Sequence, residues 1–310
     1  MKSPMVNLLK WTAIALGSLA GLVLIALAVI YLISSNRMQR SYSVPSHPVA
    51  ALSDSSVIAY GKRLSQIRGC TDCHGENLAG RLVIDAPLVM KLYSSNLTPG
   101  KGGIGKTYSD ADWERSIRHG VRPNGKPLLF MPTLELIHLS DGDVAALIAY
   151  LKTLPPVDRV MPASTVGPLG RVLYLAGEIP LVHAELVDHV AGHPDAPTPG
   201  ITVEYGQYLA LGCMGCHGPH LTGGKIPGAP PDWPLAANLT PSGNLKDWDE
   251  AGFIQAMRTG IKPNGQPFQP QMPYQTLKAM TDEELKAIWL FLQSLPANTG
   301  LTNAAASTEP

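Results

Sequence analysis

The longest uninterrupted apolar stretch comes first. Trp11 to Ile33, WTAIALGSLAGLVLIALAVIYLI, runs 23 residues without a charge, enough to cross the ~30 Å hydrocarbon core of a bilayer as a helix. The stretch exceeds the usual core of a cleaved signal and no small-x-small cleavage site follows it, so an uncleaved transmembrane anchor is predicted over residues 1–36. Lys2 and Lys10 precede the span while Arg37 and Arg40 follow it, so flanking charge leaves orientation undecided. Residues 37–54 are polar with two prolines and read as a tether holding the rest off the bilayer. Farther on, apolar residues recur at helical spacing through Leu147, Ile148 and Leu151, and again through Leu285, Ile288 and Leu292. Ser140-x-x-Asp143 and Thr281-x-x-Glu284 open these two helices in the manner of a capping box, and Pro155 and Pro296 close them. Middle helices are predicted over Ser109 to His119 and Asp247 to Thr259, with a short helix before each cysteine pair. No alternating pattern of useful length predicts a strand, so the fold class is mostly α.

These paired predictions reflect a repeat. Cys70-Thr-Asp-Cys73-His74 matches Cys213-Met-Gly-Cys216-His217, and Asn96-Leu-Thr-Pro99 matches Asn238-Leu-Thr-Pro241. Gly120-Val-Arg-Pro-Asn-Gly-Lys-Pro127 matches Gly260-Ile-Lys-Pro-Asn-Gly-Gln-Pro267, and Met131-Pro132 answers Met272-Pro273. The offsets run from 140 to 143, which predicts two domains, residues 55–156 and 201–297, with a linker over 157–200 and a tail over 298–310. The linker is rich in proline and histidine, and Arg171, Glu178 and Pro180 break its apolar part, which argues against a second span. It reads as packed between the domains, with a lipid-touching segment as the alternative.

Composition narrows the function classes. The chain has 310 residues, a formal net charge of zero and 15% charged residues, so no bulk charge announces a nucleic-acid partner. With only 4 phenylalanines against 30 glycines and 28 prolines, the apolar core is thin for the length, and a large bound cofactor would make up the deficit. All four cysteines lie in the two motifs, so none remains for a structural disulfide.

Cysteines three apart lie on one side of a helical turn, where both sulfurs reach one flat partner and the following histidine points at its centre. That pattern is the attachment signature of haem c, with thioethers from Cys70 and Cys73 and from Cys213 and Cys216, and iron ligation by His74 and His217. The other readings are a thioredoxin-like redox pair, which wants a βαβ setting, and a zinc site made by both cysteine pairs. A second axial ligand is expected at Met131 and Met272, 57 and 55 residues after their histidines in the same loop of each repeat. Pro87 and Pro230, each 13 residues after a histidine, are candidate carbonyl acceptors for the other imidazole nitrogen. Arg118 and Arg258 are candidate partners of haem propionates, with a solvated helix face as the alternative. Asn96 and Asn238 are expected to hold a loop by local hydrogen bonds. His47, His119, His138, His183, His189, His193 and His220 have no counterpart in the repeat and read as surface, tether or linker residues.

On these motifs the region after the anchor resembles two tandem class I cytochrome c domains, similar to the cytochrome c subunits of periplasmic membrane-bound dehydrogenases and related dihaem cytochromes. The resemblance implies small helical folds around haem that carry electrons and do no substrate chemistry. It implies His74 and Met131 on the first iron, His217 and Met272 on the second, and attachment of two haem c outside the cytoplasm. The chain departs from the alcohol-dehydrogenase subunits, which have three such modules, by having two and an N-terminal anchor.

The expected protein is therefore a non-enzymatic dihaem electron relay, single-pass in the inner membrane with its domains on the periplasmic face. Its expected partners are the bilayer and redox proteins, with no nucleic acid. The first alternative is an electron-exit subunit of a dehydrogenase or quinol-oxidising complex. The second is a dihaem peroxidase, which needs an open iron position and is opposed by a methionine in both copies. Residues 57–156 carry 12 basic and 9 acidic side chains and residues 201–297 carry 6 and 8, so different faces are expected to meet different partners.

Overall fold

The computed structural model describes residues 4–45, 47, 49 and 53–297; the tail at 298–310 lies outside the described residues. Helix α1 (Pro4–Met38) is 35 residues long, about 50 Å at 1.5 Å per residue. Large apolar side chains from Met5 to Ile33 project away from the rest of the chain. Its length and composition suit one membrane span.

The first repeat contains α2 (Ser55–Ile67), α3 (Cys70–His74), strands β1 (Leu82–Ala86) and β2 (Met90–Tyr93), α4 (Asp110–His119), α5 (Thr133–Leu136) and α6 (Asp141–Leu151). Strand β3 (Thr165–Val166) and α7 (Pro168–Leu175) follow. The second repeat contains α8 (Val203–Leu209), α9 (Leu211–His217), α10 (Glu250–Thr259), α11 (Tyr274–Leu277) and α12 (Asp282–Ser294). Local chemistry sets the helix starts. Ser109 and Asp112 form a reciprocal capping box at α4, and Thr281 and Glu284 do so at α12.

The architecture is mostly helical, as predicted, but it also contains a small antiparallel sheet in the order β1-β2-β3. Ile84 pairs with Leu92 and Ala86 with Met90, and Met90 then pairs with Val166 on the far side. Strand β1 shows no strict alternation in its burial, β2 has four residues and β3 only two, so no strand pattern of useful length stands out along the chain.

In each repeat the first and last helices cross in backbone contact. A Cβ on Gly61 would overlap the Ala146 carbonyl of α6, and one on Gly206 would overlap the Ala287 carbonyl of α12. Leu64, Leu147 and Ile148 pack around the first crossing and Leu209, Leu285 and Ile288 around the second, within one continuous core.

The two repeats are joined by a reciprocal clasp at the third residue of each last helix. Tyr60 donates to Asp143 of its own repeat at 2.9 Å, and Tyr208 of the other repeat donates to the same carboxylate at 2.6 Å. Across the interface, Arg63 of the first repeat donates to both oxygens of Glu284 at 2.8 and 2.6 Å, and Tyr205 reaches Glu284 at 3.4 Å. Both carboxylates are buried. Burial and the neighbouring acids push the Tyr60 and Tyr208 hydroxyls above their usual range and Tyr205 to about 12, keeping all three as donors. Asp143 therefore does not complete a capping box at α6; Ser140 accepts from its N–H, but its carboxylate is spent on the tyrosines.

The segment after α6 does not lie simply between the repeats. It builds a second core on the outer side of the first repeat, where Tyr174, Ile179, Leu181 and Val182 meet Met90 and Val121. It also grips the end of α1. Arg171 lies 4.0 Å over the Tyr31 ring and donates to Ser34 and Ser35, while Arg37 donates to Glu185. Glu178 reaches the second repeat through Lys225 at 2.7 Å. Residues just past α1 adhere as well, with the Tyr42 N–H donating to the Gly125 carbonyl at 2.9 Å and Lys126 to the Gln39 carbonyl at 2.6 Å.

Gly61→Ala and Gly206→Ala are each expected to cost ~1–3 kcal/mol, the cost of overpacking a tight contact. Gly212→Ala, whose Cβ would meet nothing within 4 Å, is expected to be neutral or slightly stabilising, with helix propensity favouring alanine. Thermal unfolding of the three variants checks this, and equal midpoints would remove the crossing from its supporting role.

Candidate functional site

Helices α3 and α9 carry the two Cys-x-x-Cys-His motifs, and residues at i, i+3 and i+4 share one helix side. After each histidine the chain turns sharply. Leu78 and Leu221 take positive φ angles of 55° and 56° and are fully buried. Their carbonyls accept from the N–H groups of Leu97 and Leu239, each at 2.8 Å. That closure lays a backbone carbonyl on each imidazole: His74 Nδ1 lies 2.8 Å from the Ser95 oxygen and His217 Nδ1 lies 2.8 Å from the Ala237 oxygen. A carbonyl only accepts, so each Nδ1 carries the proton and each neutral ring presents Nε2 as a lone pair. Burial lowers the pKa of both rings and keeps them neutral.

These acceptors correct the expectation placed on Pro87 and Pro230. Pro87 lies in the β1–β2 connection, and the Pro230 carbonyl accepts from the Trp233 N–H. The acceptors instead immediately precede the repeated Asn-Leu-Thr-Pro, whose asparagine holds the loop as expected. Asn96 Oδ1 accepts from the Thr98 N–H at 2.9 Å, and Asn238 Oδ1 from the Thr240 N–H at 2.9 Å.

The two Met-Pro pairs share one local geometry. Pro132 (φ −77°, ψ 59°) and Pro273 (φ −81°, ψ 51°) each centre an inverse γ-turn, in which the methionine carbonyl accepts from Thr133 at 2.7 Å and from Tyr274 at 2.8 Å. Met131 and Met272 are half-buried against the shared core.

The four thiols are unpaired and half-buried. Burial, with a smaller push from the neighbouring cysteine, raises Cys70 to about 12, and burial raises Cys213 to about 11. Thiolates are disfavoured there, whereas a thioether sulfur carries no proton to lose. Among the described residues no three of these cysteine and histidine ligand atoms converge as one metal ion would require, which removes the shared zinc site.

The cytochrome c family profile matches residues 58–155 and again 203–296. The chain belongs to the cytochrome c family. It is similar to the fructose dehydrogenase cytochrome subunit of Gluconobacter japonicus, 28% identical over 298 residues that cover 86% of this chain and 58% of that one. It is 28% identical over 281 residues to the alcohol dehydrogenase (quinone) cytochrome c subunit of Gluconobacter oxydans, covering 79% and 56%. A diheme cytochrome c-type protein of Cereibacter sphaeroides is 27% identical over 270 residues, covering 76% and 85%. This cytochrome thus spans a little over half the length of the two dehydrogenase subunits and most of the dihaem protein.

With two cytochrome c modules, each holding one Cys-x-x-Cys-His motif, the cytochrome carries two covalently bound haem c. The residues fit that cofactor twice over, with two free thiols, an imidazole presenting Nε2 and a half-buried thioether in each repeat. The two attachment helices share one neighbour, Arg68. Arg68 lies within electrostatic reach of both Cys70 and Cys213, and α5 of the first repeat packs on α9 of the second. There a Cβ on Gly215 would come 2.6 Å from Glu135 Oε1.

Two sets of expectations are corrected here. Arg118 and Arg258 do not extend toward a propionate. Arg118 is fully buried and donates to the Leu139 carbonyl and Asp141, each at 2.7 Å, while Arg258 donates to the Lys278 carbonyl at 3.0 Å and Asp282 at 2.6 Å. Each ties the end of its middle helix to the start of the last one. Of the histidines read as surface, tether or linker residues, His119 is fully buried, and His189 and His193 fold in from the linker to meet it. The missed signals differ in kind. A carbonyl acceptor has no side-chain signature, but Tyr60-Gly61 and Tyr205-Gly206 form a repeated pair that a frame allowing an offset of 145 would have revealed.

Asn96→Ala removes a buried side chain that also donates to the carbonyls of Val157 at 2.8 Å and Arg159 at 3.1 Å. A loss of ~1–3 kcal/mol is expected. The loop carrying Ser95 loosens with it, so a redox titration should show one haem midpoint displaced and the other fixed; two unmoved midpoints would count against this loop as the support of His74.

Proposed function

We propose that this cytochrome relays single electrons between two haem c groups at the outer face of the inner membrane, with α1 as the anchor. Cys70, Cys73 and His74 would hold the first haem, with Met131 supplying the other iron ligand. Cys213, Cys216, His217 and Met272 would hold the second haem. Residues 55–156 and 201–297 are the two haem-binding units, and 157–200 connects them. The observation that carries this reading is the repeated commitment of Nδ1 to a backbone carbonyl, which leaves each Nε2 for iron. When bound, the haem supplies a one-electron Fe(III)/Fe(II) couple, and a methionine sulfur gives it a higher potential than a second histidine would.

The chain's own residues then do three things. The Ser95 and Ala237 carbonyls fix ring orientation and strengthen each imidazole as a donor. The inverse γ-turns fix where the methionines sit. The clasp through Asp143 and Glu284 fixes the two repeats, and with them the two haem sites, against each other.

A more specific reading makes this cytochrome the electron-exit subunit of a membrane-bound dehydrogenase, supported by relatives named as cytochrome subunits of fructose and alcohol dehydrogenases. Gentle detergent extraction is expected to retain a larger catalytic subunit; recovery of the cytochrome alone from its native membrane would favour a free-standing relay.

A pyridine haemochrome assay is expected to give two haems per chain, both low-spin. Met131→Ala and Met272→Ala should each lower one midpoint and turn one haem high-spin. If Met131→Ala leaves its haem low-spin at an unchanged potential, that ligand assignment fails. A high-spin haem in the unaltered protein together with peroxide turnover would revive the peroxidase reading.

A further inference from the structure

Away from both attachment motifs, three side chains from distant parts of the chain converge in the interior. Glu114 and His119 come from α4 and His193 from the linker, with their side chains 1%, 0% and 7% exposed. Glu114 Oε1 lies 3.6 Å from His119 Nε2 and 3.8 Å from His193 Nε2, and all three ligand atoms fall within 4.8 Å of one another. Neither Nε2 has a hydrogen-bond partner among the described residues, although both are buried. Buried polar atoms are normally satisfied, so two such nitrogens aimed at one carboxylate call for an explanation.

The surrounding hydrogen bonds set which atoms bear protons. His189 Nε2 lies 3.0 Å from the Ala184 carbonyl, which can only accept, so that nitrogen carries a hydrogen. In the neutral ring His189 Nδ1 is then an acceptor. His119 Nδ1, 3.0 Å away, must donate to it. The neutral His119 ring is left with its lone pair on Nε2, facing a carboxylate oxygen. Two acceptors face each other, and a cation between them turns that repulsion into binding. One proton would serve a single pair of the three atoms, whereas one metal ion would serve all three.

We infer that Glu114, His119 and His193 form a binding site for a first-row divalent transition-metal ion, distinct from the haem attachments, that clips the linker to the first repeat. Two imidazoles and a carboxylate suit zinc, nickel or copper and not calcium or magnesium, which prefer oxygen alone. Bonds of ~2.0–2.2 Å in a tetrahedral site separate ligand atoms by about 3.4 Å, so the two carboxylate–imidazole distances of 3.6 and 3.8 Å need to close only slightly. A fourth position is left for water.

The supporting shell is in place. His189 orients His119 through Nδ1, and Arg118 donates to Glu114 at 3.4 Å while its other nitrogen pairs with Asp141 at 2.7 Å. Charge does not forbid an ion there, because Glu114 and Asp141 together exceed the single charge of Arg118. His47, which is exposed, stands edge-on to His193 with ring centroids 5.7 Å apart and marks the solvent side of the cluster.

The test uses the full-length haem-loaded protein in detergent, stripped with chelator, titrated with Zn²⁺ alone, then desalted and analysed for zinc and iron by elemental mass spectrometry. One zinc per chain, beyond the two haem irons, is expected to survive desalting. His193→Ala changes a loop residue and should keep both haems by pyridine haemochrome while weakening zinc binding at least ~10-fold, since even an outer-shell change costs ~10–100-fold. Glu114→Gln should do the same, and His138→Ala, an exposed histidine outside the cluster, should retain zinc. Zinc should also slow proteolysis of the 189–200 segment in the unaltered protein and not in His193→Ala. A chain that desalts zinc-free, or a His193→Ala variant that holds zinc as tightly as the unaltered one, overturns the proposal.

Discussion

Backbone contact at two glycines is the constraint on which the rest of this cytochrome depends. Because Gly61 and Gly206 have no side chain, the first helix of each repeat settles directly on the carbonyls of the last. That distance places Tyr60 and Tyr205, the residues just before the glycines, within reach of Asp143 and Glu284. The same two carboxylates then receive Tyr208 and Arg63 from the opposite repeat. Spacing within a repeat and docking between repeats are thereby one problem with one solution. Buried carboxylates are costly when left unpaired, so each repeat leaves an acid that its neighbour must help satisfy.

The haem-attachment motifs were legible in the sequence because covalent chemistry dictates the spacing of Cys70, Cys73 and His74 directly, and duplication made Met131 and Met272 stand out among ten methionines. The asparagine loops were legible for the same reason. The carbonyls of Ser95 and Ala237 were not, since any residue supplies a carbonyl and only the turn at Leu78 or Leu221 decides which one arrives. The roles of Arg118 and Arg258 were misjudged because an arginine on a helix reads as a solvated head group until its partners are known; here the guanidinium closes the end of its own helix onto the next. The small sheet was hidden by brevity and by its dependence on β3, more than seventy residues after β2.

The histidine cluster shows a different limit. His119 and His193 are 74 positions apart and have no counterpart in the second repeat, so a reading built on duplication discards them. What joins them is the linker, whose apolar residues cover the outer side of the first repeat and carry His189 and His193 inward. The same segment completes the sheet and meets the end of α1. It is the most asymmetric part of a largely symmetric molecule.

The junction with α1 carries a mechanical consequence. Arg171 and Arg37 lock the helix end to the linker, and Tyr42 and Lys126 fasten the chain just beyond it. With α1 in a bilayer, the body cannot swing through a wide arc as a load on a slack string would. Its attitude to the surface would then be set by the tilt of α1. Encounters are then governed by lateral diffusion in the plane and by rotation about a single axis, so a partner confined to the membrane searches two dimensions with few wrong orientations to reject.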